Sequence, residues 1–183
     1  MSGAAAPRCI SIGSMEDELD PRARRTRGTI LATFTTLVLG RRYDAIRIAE
    51  LIAAAGVGRS TFYEHFRSKD EVLVAAVEPI LHTLASAALG RASKVQVRAM
   101  LEHVWAQRGA ARTLLDGGTG ARLQRRLATL IDARRDAPAT MAAMGAAAAQ
   151  LTMLRMWLRG EAACPAAELA LRMIACRHLL KDL

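Results

Sequence analysis

The sequence predicts an all-α fold, and three observations support this prediction. The 183-residue chain is 52% hydrophobic and 23% charged, which is the balance of an ordinary folded protein. Good helix formers such as Ala, Leu and Arg dominate, and β-branched residues are sparse after residue 60. Apolar residues recur at spacings of three and four, whereas no stretch shows the alternation that a strand requires.

The N-terminal part divides into a tail and three short helices. Residues 1–20 show no periodicity and are predicted to be a flexible tail. A first helix follows Pro21 and ends near Gly40, with apolar residues on one face: Ile30, Phe34, Leu37 and Val38. A second helix ends at Gly56, and its apolar positions are Ile48, Leu51, Ile52 and Ala55. A third helix begins near Arg59, so the sequence outline is that of a helix-turn-helix.

The rest of the chain shows further helical segments. Ser68 and Glu71 have the spacing of a capping box and begin a fourth helix that passes Pro79, where a kink is expected. Beyond residue 91 come two helices separated by the DGGTG sequence at 116–120. After Pro138 a long helix reaches Arg159, and a last helix follows that aligns Leu169, Met173, Cys176 and Leu180.

The charge distribution indicates a polyanionic partner. Residues 21–69 hold ten Lys and Arg against three acidic residues, a net charge of +7. Residues 81–183 carry fifteen basic and seven acidic residues, or +8. Charge alone therefore does not say which half contacts nucleic acid. The cluster of Arg22, Arg24, Arg25 and Arg27 is either a solvated helix start or a contact to phosphate or a minor groove.

The third predicted helix has the composition of a helix that enters a major groove. Phe62 and Phe66 are four residues apart and share the inward face. The residues on the other side are Arg59, Ser60, Thr61, Tyr63 and His65. Arg can bind a guanine edge, Ser and Thr can contact several base edges, and Tyr and His can reach phosphate oxygens. The alternative is a solvated face of a helical bundle.

The stretch from Thr29 to Val77, centred on AELIAAAGVGRSTFYEHFRSKDEVLVAAV, resembles the DNA-binding domain of the tetracycline-repressor (TetR) family. The resemblance implies a helix-turn-helix domain at 21–70 and a helical effector-binding and dimerisation domain at 71–183. It also implies a sequence-specific transcription repressor that a small-molecule effector releases from its operator. The alternative is a DNA-binding regulator without a small ligand, controlled by a protein partner or acting architecturally.

The resemblance also assigns site residues by position. Arg59, Ser60 and Thr61 resemble the base-facing residues of the family. Tyr63, His65 and Lys69 resemble its phosphate contacts, and Arg47 stands where many members have Thr. Gly58 replaces the usual Ser cap of the third helix, a change that costs only a few tenths of a kcal/mol.

The apolar C-terminal helices predict a homodimer. Met144, Ala148, Leu151, Leu154 and Leu158 line one face of the long helix, and so apolar a helix requires cover. We expect a four-helix contact built from residues 140–159 and 166–180 of two chains. The two recognition helices would then read a palindromic operator on double-stranded DNA, about 34–36 Å apart.

A hydrophobic effector pocket is predicted near Met100, Val104, Trp105 and Met144, although ordinary core packing explains the same residues. The lone histidines and three unpatterned cysteines predict no metal site, disulfide or cofactor. No apolar run approaches the length of a membrane span and no signal peptide is recognisable, so we expect a cytoplasmic protein without membrane contact. No arrangement of nucleophile and base, carboxylate pair or phosphate-binding loop predicts an enzyme.

Overall fold

A computed structural model describes residues 20–135 and 139–180, and this part of the chain contains helices and no strand. The all-α prediction is confirmed. The helices are α1 (Pro21–Gly40), α2 (Ile48–Ala55), α3 (Arg59–His65), α4 (Lys69–Ala88), α5 (Lys94–Ala106), α6 (Arg108–Leu115), α7 (Gly117–Asp132), α8 (Thr140–Arg159) and α9 (Ala166–Ala175), with short 3-10 turns at Tyr43–Ala45 and Cys176–Leu180. The predicted tail, except for Asp20, and the Asp136–Pro138 segment lie outside the described residues.

Local sequence signals set the ends of the first helices. Asp20 caps α1 by accepting a hydrogen bond of 3.1 Å from the backbone N–H of Arg22. Gly56 ends α2 in the left-handed region with φ of 63°, a conformation that favours glycine. Gly40 was predicted to lie just after the last residue of α1, at the C′ position. In the structure it is the last helical residue of α1, and Arg41 leaves the helix in an extended conformation.

The fourth helix joins two hydrophobic cores. Val72 and Leu73 of α4 pack with α1, α2 and α3, whereas Leu81 and Leu84 pack with the C-terminal helices. The capping box of α4 is offset: Ser68 accepts from the N–H of Glu71 at 3.2 Å, but the Glu71 carboxylate accepts from the N–H of Arg67. The helix continues through Pro79 to Ala88.

By length and mean hydropathy α4 is long and apolar enough to cross a bilayer, the one such helix among the described residues. The sequence prediction concerned uninterrupted apolar runs, and α4 is interrupted by charged residues such as Glu71 and Glu78. Its most apolar side chains, including Leu73, Leu81 and Leu84, are buried against neighbouring helices. Core helices of this kind satisfy the same criteria.

The prediction for the DGGTG segment was also incomplete. Helix α6 lies before it, and the glycines form the first turn of α7 instead of an extended break. A Cβ atom on Gly120 would lie 2.2 Å from the carbonyl oxygen of Leu115, so the absence of a side chain lets α7 begin directly against the end of α6.

The face of α8 that was predicted to need a partner chain is covered by its own chain. Leu151, Leu154 and Leu158 are 2%, 3% and 0% exposed and belong to the second core. Helix α8 packs mainly on α7 and also contacts α4, α6 and α9. Helical periodicity identified a buried face but could not tell which molecule covers it.

Candidate nucleic-acid interface

Helix α3 presents polar side chains outward over two buried rings. Phe62 and Phe66 are 0% and 2% exposed, and their ring centroids lie 6.1 Å apart. Arg59 and Ser60 are exposed at the start of the helix, and Tyr63 is 42% exposed. The half-buried members of the predicted set are Thr61 and His65. The predicted division of α3 into an anchoring side and a polar side therefore matches its geometry.

Two arginines of this region, Arg59 and Arg47, have no acidic partner among the described residues. The Arg59 guanidinium lies 5.8 Å from the ring centroid of Tyr63, and Arg47 is exposed at the N-terminal cap of α2. Neither arginine forms an ion pair with another residue of the described part of the chain. Both charges are therefore available to an anionic ligand.

Lys69 is held by the protein itself. Its Nζ donates to the backbone carbonyl oxygens of Tyr43 at 2.9 Å and Ile46 at 2.8 Å, and lies 4.2 Å from the centroid of the Tyr43 ring. An ammonium group has three N–H donors, so one donor is left for a phosphate oxygen. The main effect of Lys69 in this structure is to fasten the loop between α1 and α2 to the start of α4.

A carboxylate that sequence reasoning missed joins the two halves of the protein. Asp70 accepts hydrogen bonds from the phenol of Tyr43 and, at 2.8 Å, from Arg122 of α7. Burial, and then the hydrogen bond to Asp70, raise the pKa of Tyr43 well above its ordinary value. Glu78, about two turns further along α4, similarly pairs with Arg126, about one turn further along α7. No motif signals these contacts, since the partners are far apart in sequence.

A cavity of about 160 Å³ lies between the two halves. Its inner walls are apolar side chains of α1, α4, α7 and α8, among them Phe34, Val77, Leu123 and Leu154. Its more exposed lining comes from α1, from α5 and from the residue that follows α5: Thr35, Leu39, His103 and Gln107. The cavity is therefore apolar inside, with the few polar side chains of its lining concentrated at the more exposed end.

The structure does not bring the four predicted pocket residues together. Val104 lines the cavity, whereas Trp105 lies outside it, with its ring centroid 4.6 Å from that of Trp157 beside a second cleft. Met100 and Met144 pack at the edge of the second core. Among the described residues, no group of three His, Cys, Asp or Glu side chains is placed to hold a metal ion.

The fold and this surface define a class: an all-helical protein in which a helix-turn-helix is joined to a C-terminal helical bundle. Residues 38–76 match the sequence model described as "Bacterial regulatory proteins, tetR family". The chain is also 33% identical over 69 residues to the HTH-type transcriptional regulator EthR of Mycolicibacterium smegmatis, a match that covers 33% of this chain and 32% of that protein. The chain thus spans about a third of the length of the curated relative that it matches.

Two solved structures share the fold. A TetR transcriptional regulator from Streptococcus agalactiae is 21% identical, with a TM-score of 0.54 over 90% of this chain and 98% of the other. A TetR transcriptional regulator from Rhodococcus is 15% identical, with a TM-score of 0.54 over 88% and 99%. Residues 38–76 of this chain therefore match the TetR family in sequence, and the chain shares its fold with these two regulators.

Proposed function

We propose that the protein is a dimeric, sequence-specific transcription repressor that a small apolar effector releases from its operator. The main support for DNA binding is the polar face of α3. This face is turned away from the buried rings of Phe62 and Phe66, which anchor the helix in the core. A short helix anchored in this way presents its side chains in a fixed register to a major groove.

The residues of this face divide into two roles. Arg59, Ser60 and Thr61 at the start of α3 read base edges, because recognition helices insert their N-terminal residues deepest. Tyr63, His65 and Arg47 bind phosphate oxygens and set the orientation. Lys69 supports them by holding the α1–α2 loop, with one N–H donor left for phosphate.

Selection of bound duplexes from random DNA tests this proposal. The selected duplex then serves as the probe for two variants. Arg59→Ala should relax the preference at one base pair and cost about 1–3 kcal/mol, whereas Tyr63→Phe should weaken binding to all sequences alike. Arg91→Ala, an exposed arginine just after α4, is the control and should leave base preference unchanged. Enrichment of no sequence, or an identical effect of the first two variants, would contradict the assignment.

A second copy of this chain is the partner that the surface of α8 fits. The exposed stripe of α8 consists of Met141, Gly145, Thr152 and Met156, with Met141 87% exposed. Leu171 of α9 is 51% exposed. The small residues let a second helix approach closely, and the apolar ends supply area to bury. The proposed dimer contact thus keeps the two helices named from the sequence, α8 and α9, but it uses a face of α8 that is turned by roughly 110° from the predicted one.

Gly145→Glu tests the dimer. No atom lies within 4 Å of a Cβ at this position, so the monomer should fold normally while a charge enters the proposed interface. We expect light scattering to report a monomer and palindromic DNA to bind more weakly. Gly109→Glu in α6 is the matched control, since that position is equally open. A Gly145→Glu variant that remains a dimer would refute this interface.

The effector part of the proposal depends on the location of the cavity. Phe34 and Val38 of α1 line it together with Leu151 and Leu154 of α8, so a ligand would contact both halves at once. Its volume is close to that of apolar cavities that accept a single benzene ring. The ligand class that fits is a compact apolar molecule with one polar group near His103 and Gln107. Binding would favour a dimer whose recognition helices no longer match the operator.

A thermal-shift screen with small substituted benzenes tests the effector part. A molecule that binds the folded state at 100 times its Kd should stabilise it by about 2.7 kcal/mol. Ala111→Leu adds side-chain volume to the cavity lining and should abolish that shift, whereas Ala121→Leu, exposed on α7, should not. If no compound raises the melting temperature, the alternative is favoured: a DNA-binding regulator without a small ligand.

A further inference from the structure

Three arginines at the beginning of α1 form what we call the α1 basic surface: Arg22, Arg24 and Arg25. All three are exposed, and none of their guanidinium groups forms a hydrogen bond or ion pair with another residue of the described part of the chain. Many other arginines of the described chain, such as Arg122 and Arg126, do have acidic partners.

The next arginine ties this surface to the recognition helix. The Arg27 guanidinium lies 4.4 Å from the centroid of the Phe66 ring, and its NH1 donates to the backbone carbonyl of His65 at 3.4 Å. This end of α1 therefore lies against the end of α3. Arg24, three residues before Arg27, lies on the same side of α1 about 4.5 Å further along the axis.

We infer that the α1 basic surface binds the DNA phosphates that flank the sequence read by α3. The inference rests on the proposed DNA-binding function and extends its contact surface. Because α1 is helical from Pro21 and capped by Asp20, these arginines stand on a folded helix and not on an N-terminal arm of the kind that homeodomains place in a minor groove. These three cations, which have no acidic partner in the described part of the chain, stand on the end of α1 that lies against the end of α3. Their charge complements that of a phosphate backbone.

The expected effect is a change in salt dependence. Each phosphate contact contributes about 0.9 to the slope of log K against log salt concentration. Three contacts per protomer make six in a dimer and add about 5 to this slope. Over the fourfold rise from 50 to 200 mM salt, they should therefore add about 10³-fold to the loss of affinity. Base preference does not change, because phosphate contacts carry no sequence information.

Two full-length variants with the same change in charge separate a local contact from net charge. The test variant is Arg22→Gln/Arg24→Gln/Arg25→Gln. The control is Arg91→Gln/Lys94→Gln/Arg177→Gln, all exposed beyond the far end of α4, about 30 Å from its start. The probes are the duplex selected by the wild-type protein and the same duplex extended by about six base pairs on each side. Binding is measured by fluorescence anisotropy between 50 and 200 mM NaCl.

We expect the wild type and the control to bind the longer duplex more tightly, and the test variant to lose both this preference and part of its salt slope. Equal slopes for the two variants, or no preference of the wild type for the longer duplex, would overturn the inference while leaving sequence-specific binding intact. If the wild type selects no sequence, the proposed function itself fails. Equal melting temperatures for all three proteins show that they are folded.

Discussion

Gly120 and Gly118 allow the same substitution to be tested at two positions of one helical turn. Both lie in the first turn of α7, but their surroundings differ. A Cβ on Gly118 meets no atom within 4 Å, whereas one on Gly120 lies 2.2 Å from the carbonyl oxygen of Leu115 and 3.2 Å from NH2 of Arg155. That NH2 group donates to the same carbonyl at 2.9 Å.

The magnitudes follow from these contacts. Ala in place of Gly stabilises a helix by up to about 1 kcal/mol, and less in its first turn. Gly118→Ala should therefore raise the free energy of unfolding by about 0.5 kcal/mol. In Gly120→Ala the gain is outweighed by overpacking of about 1–3 kcal/mol and by a weakened hydrogen bond from Arg155, worth about 1.5–3 kcal/mol. The net loss is about 2–4 kcal/mol, or a drop in Tm of roughly 10 °C for a chain of this size.

Urea denaturation followed by circular dichroism measures both variants, provided that the m-values agree. A double variant, Gly120→Ala/Arg155→Ala, adds a second criterion. Because both changes disturb the Leu115 carbonyl, their effects should be less than additive. If both single variants change stability in the same direction, the close approach of α7 to α6 is not the reason for a glycine at 120.

Three further predictions concern groups between the helices. Above pH 10 the Tyr43 phenol ionises in the unfolded chain but keeps its proton in the folded one, because its folded-state pKa is raised. The free energy of unfolding of the wild type should therefore fall above pH 10, relative to that of Tyr43→Phe, by up to about 1.4 kcal/mol per pH unit. Below about pH 9 the difference between the two proteins should be constant. Curves of stability against pH that stay parallel above pH 10 would contradict this prediction. Asp70→Asn should destabilise the protein more than Arg122→Gln, since Asp70 accepts from both Tyr43 and Arg122, whereas a half-exposed ion pair contributes at most about 1 kcal/mol. The reverse order of stabilities in urea denaturation would be evidence against this role of Asp70 in joining the two halves. Gln150→Leu should cost about 1–3 kcal/mol, because the fully buried amide donates to two backbone carbonyls, and an unchanged Tm would show that those carbonyls find other donors.

The DNA-reading unit was predictable because its determinants are local. The spacing of four between Phe62 and Phe66 fixes which side of α3 is buried, and Gly56 supplies the left-handed residue that ends α2. The side chain of Ser68 caps α4 three residues before Glu71. Each of these signals depends on residues within one helical turn, so neighbouring residues alone determine it.

The C-terminal half was less predictable because its apolar residues are abundant and similar. Helix α6 was missed since the glycines after it read as a break, although Gly120 serves a close packing contact. Periodicity showed that Leu151, Leu154 and Leu158 are covered, but only the packing of α8 on α7 showed that the same chain covers them. The lining of the cavity likewise combines residues of α1 and α8. These helices are far apart in the sequence, so no local pattern predicts that they meet.

The sequence by itself therefore determined the helices of the reading domain and the face that α3 turns outward. Tertiary structure alone decided how that domain is joined to the rest. Tyr43 and Asp70 are 27 residues apart, and Asp70 and Arg122 are 52 apart. Contacts at such separations depend on how whole helices pack, and packing is set by the shape and volume of many side chains together.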